Sequence, residues 1–448
     1  MWTILNNQEE DSFFKQYSNL LEFYEDIVLY DNTKYNFKIL PRYFVSMYPS
    51  RYFKFYIDKE FVPKTIDVTW NKNLPLKNQQ KQICSTILNR LNDEAINRGG
   101  IIKARPGAGK TVMSIYIACA SKKKTLIVVD NKNLVEQWKD TIIKFTNCDE
   151  NNIGTIQANI FDTDHPFTIA MLQTLVSRIK NGIEEFYKKM RNSGFDLVFF
   201  DECHKTTCGP KYAKASLLIN TKNIIGLSAT PFANHLHKIL MTGTIGEIIA
   251  EDSEYELVPT INFIRYKSGL SSRYGKQIFY INDYLKQRSK FISKLPESIK
   301  YKDIILMLVK QMLSEGHKII IICFTVELVK YIYEWLLSIG IEGRVFYSKE
   351  TEIDKENDNL IITTYAFAGA GFDMKQLSGI ILATPLSGKK SLIQGIGRIL
   401  RSHEGKMSPV VYDLIDTDFG DLFTKEISRK KSILSQEFNC NFKDITIY

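Results

Sequence analysis

Three short stretches carry residue types whose spacing could do chemistry. The first is Ala104-Arg105-Pro106-Gly107-Ala108-Gly109-Lys110-Thr111, set between an apolar run and a segment of helical periodicity. A phosphate chain needs backbone N–H groups turned inward, and glycine lets a loop curve closely enough around it. The N-terminus of the following helix adds partial positive charge. Lys110 can reach β- and γ-phosphates, and the Thr111 hydroxyl can ligate Mg²⁺. Ala104 stands where the general pattern has its first glycine. The expected ligands are therefore ATP and Mg²⁺.

The second stretch is Leu197-Val-Phe-Phe-Asp201-Glu202-Cys203-His204, about ninety residues downstream. Four apolar residues make a buried strand, and the acids fall at its C-terminal end, where ligand sites of α/β sheets lie. Asp201 is suited to holding Mg²⁺ through water. Glu202 is suited to orienting and deprotonating the water that attacks a γ-phosphate. The third stretch is Gln394-Gly-Ile-Gly397-Arg398-Ile-Leu-Arg401. On a helix, Gln394, Arg398 and Arg401 share one face at spacings of four and three. Two arginines can stabilise charge on a reacting γ-phosphate, an effect of roughly 10³–10⁵ in rate. Taken alone, this stretch fits a solvated basic helix face equally well.

The elements that must position these residues follow a rhythm. Ile101–Ile102, Thr125–Val129, Thr168–Ala170, Leu197–Phe200 and Ile224–Leu227 read as strands, separated by helical stretches such as Val112–Ala120 and Asn133–Phe145. The rhythm restarts with Ile319–Phe324, Arg344–Tyr347, Leu360–Thr363, Ile380–Ala383 and Val410–Leu414. Such alternation predicts βαβ units, and hence two tandem α/β domains with parallel sheets. The less regular part around Gly243–Lys300 is expected to contain the linker.

The chain of 448 residues is long enough for about three domains. Apolar residues at 44% and charged ones at 24% exclude a disordered or collagen-like chain. The strongest apolar run, Ile319 to Phe324, is far short of the roughly 18 residues of a membrane span, and no signal peptide is read at the N-terminus. A cytoplasmic protein with no membrane partner is expected. Seven scattered cysteines without a CxxC pair fit a reducing compartment. Cys203, His204 and Cys208 lack four-ligand spacing, so no structural metal is expected there. His235 and His237 read as surface or loop residues.

The net charge of +9 is unevenly placed: residues 1–32 carry seven acids and one base, residues 33–64 seven bases and two acids. Of the 54 aromatic residues, 18 lie in the first 70, which marks a domain boundary. Within Arg42–Tyr56, bases alternate with rings, and Arg42, Arg51 and Lys54 are candidate DNA contacts. One reading is a stacking platform for nucleic acid. The other is a small β-rich domain with an aromatic core, and one packed face with one basic face satisfies both.

In this order the motifs resemble those of the superfamily 2 DExH helicases over about residues 74–420. Leu76-Lys-Asn-Gln-Gln80 looks like the adenine-reading segment and Thr125–Trp138 like motif Ia. Ala170-Met-Leu-Gln173-Thr174 is similar to the later DNA-contacting motif of the first domain. Asp201–His204 looks like motif II, Ser228-Ala-Thr230 like motif III, and Ile322–Thr325 like motif IV. Ile362–Asp373 resembles motif V and Gln394–Arg401 motif VI. The Gln137-Trp138 ending, the run Arg398–His403 and Tyr412–Asp416 look most like phage recombination helicases of the T4 type, which migrate branched DNA. Gln79 departs from the family by replacing an aromatic residue, and Asp130-Asn131 replaces Pro-Thr.

The resemblance implies a small, aromatic-rich, β-containing domain over 1–72 and two RecA-like domains over 73–245 and 246–448, the latter with a short C-terminal tail. It implies that Gln80 contacts adenine and that residues 104–111 cradle phosphates, joined at the nucleotide by Gly371 and Asp373. Asp201 and Glu202 would hydrolyse ATP, with Gln394, Arg398 and Arg401 as trans-domain partners. Ser228 and Thr230 would couple hydrolysis to closure. Gln173, Thr174, Thr325 and Thr364 would touch DNA. The expected function is that of an ATP-dependent, monomeric motor remodelling branched or forked DNA. An RNA-directed DExH enzyme and an ATP-gated nucleic-acid-binding scaffold are the alternatives. Intact Lys110, Glu202, Arg398 and Arg401 weigh against the scaffold.

Overall fold

Short runs rich in Ile, Val, Leu and Phe recur from residue 100 onward, and several of them have no exposed position at all. Thr125–Val129, Leu197–Phe200, Asn223–Ser228, Leu360–Thr364 and Leu377–Leu382 are buried throughout. Burial on both faces requires helices on both sides of a parallel sheet. A computed structural model of the chain describes residues 2–5, 28–30, 36–40, 43, 53–56, 60–93, 98–206, 215–216, 218–219, 221–232, 235–252, 255, 257–280, 283–347, 354, 357–365, 374–385, 388–401 and 403–448.

Near the N-terminus, β1 (Trp2–Leu5), β2 (Val28–Tyr30), β3 (Asn36–Leu40) and β4 (Phe53–Tyr56) form an antiparallel sheet in the order β2-β3-β1-β4. The next sheet contains β5 (Gly100–Ala104), β6 (Thr125–Val129), β7 (Ile153–Gln157), β8 (Ile160–Phe161), β9 (Phe167–Met171), β10 (Leu197–Phe200), β11 (Asn223–Ser228) and β12 (Ile248–Asp252). Its order is β12-β5-β11-β10-β6-β9-β7-β8, parallel except for the β7–β8 pair. The last sheet contains β13 (Thr260–Tyr266), β14 (Lys318–Cys323), β15 (Arg344–Phe346), β16 (Leu360–Thr364), β17 (Leu377–Leu382), β18 (Val410–Asp416) and β19 (Asn441–Thr446). It is wholly parallel, in the order β15-β16-β14-β17-β18-β13-β19. Two parallel-sheet α/β domains therefore stand as expected. No helix among the described residues is long and apolar enough to cross a membrane.

Two domain boundaries lie elsewhere than expected. The chain divides after Ser253 rather than at 245/246, because β12 pairs with β5 at the edge of the first α/β sheet. The first α/β domain also begins before residue 73. Lys64 and Ile66 exchange backbone hydrogen bonds with residues 122, 124 and 194, and Ile66, Val68 and Leu76 are buried in its core. Trp70 packs on Phe145 and Tyr116 at 5.2 and 5.3 Å. The C-terminal tail is structured as well, with a helix over Asp421–Glu437 and edge strand β19 beside β13.

The region expected to contain the linker does hold the division after Ser253, and it also holds much of the second α/β domain's start: β13 and helices Ser271–Phe279, Tyr284–Lys294 and Ile299–Ser314. Its core includes Phe291, Phe419 and Phe423, with ring centroids 4.5–5.1 Å from Phe291. A buried phenylalanine contributes roughly 1.5–3 kcal/mol. His235 opens the helix His235–Thr244 and is exposed, a surface residue as expected, while His237 lies half-buried within the helix.

Candidate nucleotide site and nucleic-acid motifs

β5 ends at Ala104 and runs through the glycine loop into the helix Lys110–Ser121. Gly107 and Gly109 adopt φ of 82° and 86°, a left-handed backbone that favours glycine. Gly109 is the helix N-cap and offers no side-chain acceptor to the first turn. A helix start of this kind suits a bound anion. Lys110 Nζ donates to Ala104 O at 3.1 Å. Thr111 is half-buried one residue further on. Gln80 bridges its own helix and the loop: Nε2 donates to Ala108 O at 2.8 Å, and Oε1 accepts from Lys77 N at 3.0 Å. A Cβ at Gly109 would fall 2.4 Å from Gln80 Nε2, so a larger residue there would displace the end of that side chain from the loop.

Arg105 differs from the expectation for the loop. Its backbone belongs there, between Ala104 and Pro106, but its buried guanidinium pairs with the buried carboxylate of Asp252 at 3.2 Å. The backbone follows, with Arg105 N donating to Asp252 O at 3.0 Å. Thus β12 anchors the loop from the sheet edge.

Sheet order brings the catalytic candidates together. β5, β11 and β10 are neighbours, so the ends carrying Lys110, Ser228 and Asp201 lie side by side. Asp201 is 6% exposed. Its Oδ1 accepts from Glu202 N and its Oδ2 from the indole N–H of Trp138, both at 2.9 Å. Burial pushes the Asp201 carboxyl up to about 6, with the neighbouring Glu202 adding to the rise; the Trp138 hydrogen bond and the Lys110 charge oppose it. Glu202 sits at φ 46°, a strained backbone for a non-glycine residue. His204 Nδ1 lies 2.7 Å from Ser228 Oγ and 3.3 Å from Glu202 Oε2. Ser228 Oγ accepts from Thr230 N at 3.1 Å, while Thr230 Oγ1 is buried without a hydrogen-bond partner. The acid pair is thereby tied to the Ser228–Thr230 turn. Cys203 is buried against Gly226, and Cys208 lies outside the described residues.

Trp138 is the residue whose role was missed. Its type and place before the acid pair mark it in sequence, but the bond to Asp201 exists only because its helix, Lys132–Phe145, follows β6 beside β10. Trp138→Phe keeps the ring and removes the donor. A hydrogen bond to a charged group contributes roughly 1.5–3 kcal/mol, so ATP hydrolysis should fall about tenfold or more, read from steady-state rates across a Mg²⁺ titration. A separate outcome concerns pH. Burial raises the metal-free Asp201 carboxyl, so protons compete with Mg²⁺ for it, and the Mg²⁺ concentration giving half-maximal activity should rise as pH falls. The same Mg²⁺ requirement at pH 7 and pH 5 would contradict this role for Asp201.

The departure at Asp130-Asn131 has a structural reason. Asn131 caps the helix, its side chain accepting from Leu134 N at 3.1 Å. Asp130 Oδ2 pairs with Lys205 at 2.9 Å, and its carbonyl accepts from Gln173 Nε2 at 2.7 Å. Gln173 is exposed; Thr174 Oγ1 accepts from Ala158 N at 3.2 Å.

In the second α/β domain, β16 and β17 flank β14, and Cys323 is in register with Thr364. Thr325 and Thr364 therefore end neighbouring strands. The Thr325 hydroxyl accepts from Leu328 N at 3.2 Å and caps the helix Val326–Ser338, while Thr364 is buried. Gln394 and Arg398 lie half-buried on the helix Lys389–Ile399, opposite the buried Leu392, Ile393, Ile396 and Ile399. Arg401 lies past the helix end, so the expected three-residue helical face holds only two of its members. Lys406 Nζ donates to Arg401 O at 2.6 Å; burial and then the Arg401 charge bring that amine down to about 8. Gly371, Asp373, Arg42 and Arg51 lie outside the described residues, and Lys54 is placed by backbone only, opposite Ile4 on β1.

The fold has known counterparts. The solved structure of Dbp5 from S. cerevisiae, bound to RNA and ADP BeF3, covers 82% of this chain and 89% of its own at a TM-score of 0.57 and 13% identity. The family described as Type III restriction enzyme, res subunit, matches residues 73–233. With the motifs, this defines the class: the chain resembles the superfamily 2 DExH helicases and is an ATP-hydrolysing helicase that binds nucleic acid. Among curated proteins it is similar to L396 of Acanthamoeba polyphaga mimivirus, whose name assigns it to the ATP-dependent RNA helicases; the two are 29% identical over 81% of this chain and 68% of that protein. The ATP-dependent DNA helicase uvsW of Enterobacteria phage T4 is 25% identical over 72% of this chain and 66% of its own length. Within its class the chain stands close to that T4 type.

Proposed function

We propose that this chain is a DNA-directed motor that remodels branched or forked DNA, as in phage-type recombination and replication in a host cytoplasm. The observation that carries the catalytic part is the convergence of Lys110, Asp201 and Ser228 at the ends of three adjacent strands. In this reading the turn at residues 104–111 and the uncapped helix start hold the ATP phosphates. Asp201 and the Thr111 hydroxyl supply the hard oxygen donors that suit Mg²⁺. The metal's contribution when bound is to neutralise phosphate charge.

Glu202 takes the proton of the attacking water, oriented by its contact with His204. Ser228 and Thr230 register the change through the His204–Ser228 contact. Gln394, Arg398 and Arg401 stabilise charge on the γ-phosphate, and Gly371 and Asp373 complete the nucleotide contacts. Gln173, Thr174, Thr325 and Thr364 hold the strand backbone, a mode insensitive to base sequence. The different affinities of ATP and ADP for the closed arrangement supply the driving free energy.

The likeness to the T4 helicase favours DNA, and the aromatic, basic N-terminal segment suits duplex arms. ATPase activity should then be stimulated more by forked or four-way DNA than by linear duplex of equal length. Equal stimulation would overturn the branched-substrate reading. The mimivirus relative favours a second reading, an RNA-directed enzyme; stronger stimulation by RNA than by DNA of the same sequence would select it.

A further inference from the structure

The helices Ser271–Phe279 and Tyr284–Lys294, between β13 and the helix Ile299–Ser314, carry an unusual surface. Residues 267–294 contain seven bases and one acid, in a chain whose whole net charge is +9. Folded surfaces ordinarily intersperse the two signs. The only acid, Asp283, is occupied as a helix cap, accepting from Leu285 N at 2.8 Å. Three of the seven bases are accounted for internally. Arg273 and Lys294 pair with Glu297 at 3.1 and 3.0 Å, and Arg288, 4% exposed, lies over the Phe324 ring at 4.1 Å.

The remaining four, Lys267, Lys276, Lys286 and Lys290, are exposed. On their helices Lys286 and Lys290 are four residues apart on the solvent face, opposite the buried Phe291 and Ile292. Lys276 stands four residues before Tyr280, which closes the first helix and is 82% exposed. Exposed serines and a glutamine (Ser272, Gln277, Ser289 and Ser293) lie on the same two helices. Lysines that form no ion pair among the described residues, on helices that also present an exposed ring, are what a phosphodiester strand and its bases require.

We propose that this helix pair is a nucleic-acid contact of the second α/β domain, in which Lys276, Lys286 and Lys290 hold the phosphates of a DNA strand and Tyr280 stacks on one of its bases. The proposal rests on the reading of the chain as a DNA-directed motor and places a further grip outside its motifs. Each phosphate contact on a single strand contributes about 0.7 to the slope of log affinity against log salt.

The test measures anisotropy of a labelled DNA strand of about 20 nucleotides, and of RNA of the same sequence, on the full chain between about 50 and 200 mM salt. K276Q/K286Q/K290Q should bind the DNA about ten- to a hundredfold more weakly, with the slope reduced by about 2. Tyr280→Ala should weaken binding by about fivefold or more with the slope unchanged. ATPase activity without nucleic acid should stay at the wild-type level in both. The arginine triple K276R/K286R/K290R should bind like wild type, and a loss there would assign the effect to packing and overturn the proposal. So would wild-type affinity and slope in the glutamine triple, or a loss confined to RNA. A wild-type chain that binds DNA while the triple is unaffected leaves the motor reading standing; a wild-type chain that binds no nucleic acid overturns both.

Discussion

Replacing Lys110 by alanine is expected to reduce ATP hydrolysis by about 10²-fold or more while leaving nucleic-acid binding in place. The effect follows from position. Lys110 is the first residue of a helix whose N-cap offers no side-chain acceptor, and its ammonium is the positive charge that the Asp201 carboxylate feels from the loop. The ammonium donates to Ala104 O, and the residue is only half-buried, so truncation opens no cavity in the core. Alanine is also the strongest helix former. Hydrolysis should therefore be lost with the fold intact. Steady-state ATPase measured beside a gel-shift assay on branched DNA separates the two, and loss of both would point to a damaged fold instead.

Glu202→Gln should slow hydrolysis by roughly 10²–10⁴, the usual range for a positioned general base, with ATP affinity largely retained. The amide keeps the size of the side chain, so it can still reach His204, which lies 3.3 Å from the Glu202 carboxylate. It cannot accept the proton of an attacking water. The left-handed backbone at Glu202 is costly for any residue with a side chain, and such strain is retained where the surroundings impose it. Single-turnover hydrolysis, compared with equilibrium binding of a fluorescent ADP, reads chemistry apart from binding. A variant that hydrolyses ATP at the wild-type rate would remove Glu202 from the reaction, and the base would have to be sought elsewhere.

Much of the architecture was legible in the chain because its signals are local. A strand buried on both faces must be apolar throughout, so Thr125–Val129 and Leu197–Phe200 could be read directly. Gly107 and Gly109 announce their left-handed backbone by residue type. Other elements resisted because their signals are weak or distant. β19 is an edge strand with mostly exposed side chains and carries no apolar run. β12 is only partly buried, and its value to the site lies in one ion pair across 147 residues. The helices after β13 left that stretch looking irregular because their polar, lysine-rich face outweighs the few residues they bury.

By itself the sequence determined the ingredients: a phosphate loop, an acid pair after a strand, an arginine pair, and an order of motifs that belongs to one enzyme class. Only the tertiary structure decided how they meet. Motifs that run as loop, acid pair and Ser-Ala-Thr along the chain become loop, Ser-Ala-Thr and acid pair across the sheet, because β11 inserts between β5 and β10. That insertion sets His204 beside Ser228, as the packing of the helix after β6 sets Trp138 on Asp201. Arg105 shows the same limit. Its type suits a phosphate, yet its buried guanidinium faces Asp252, since a charge removed from water needs a partner and the nearby strand end supplies one. Residue types name the chemistry available, and long-range strand pairing selects which of it is brought together.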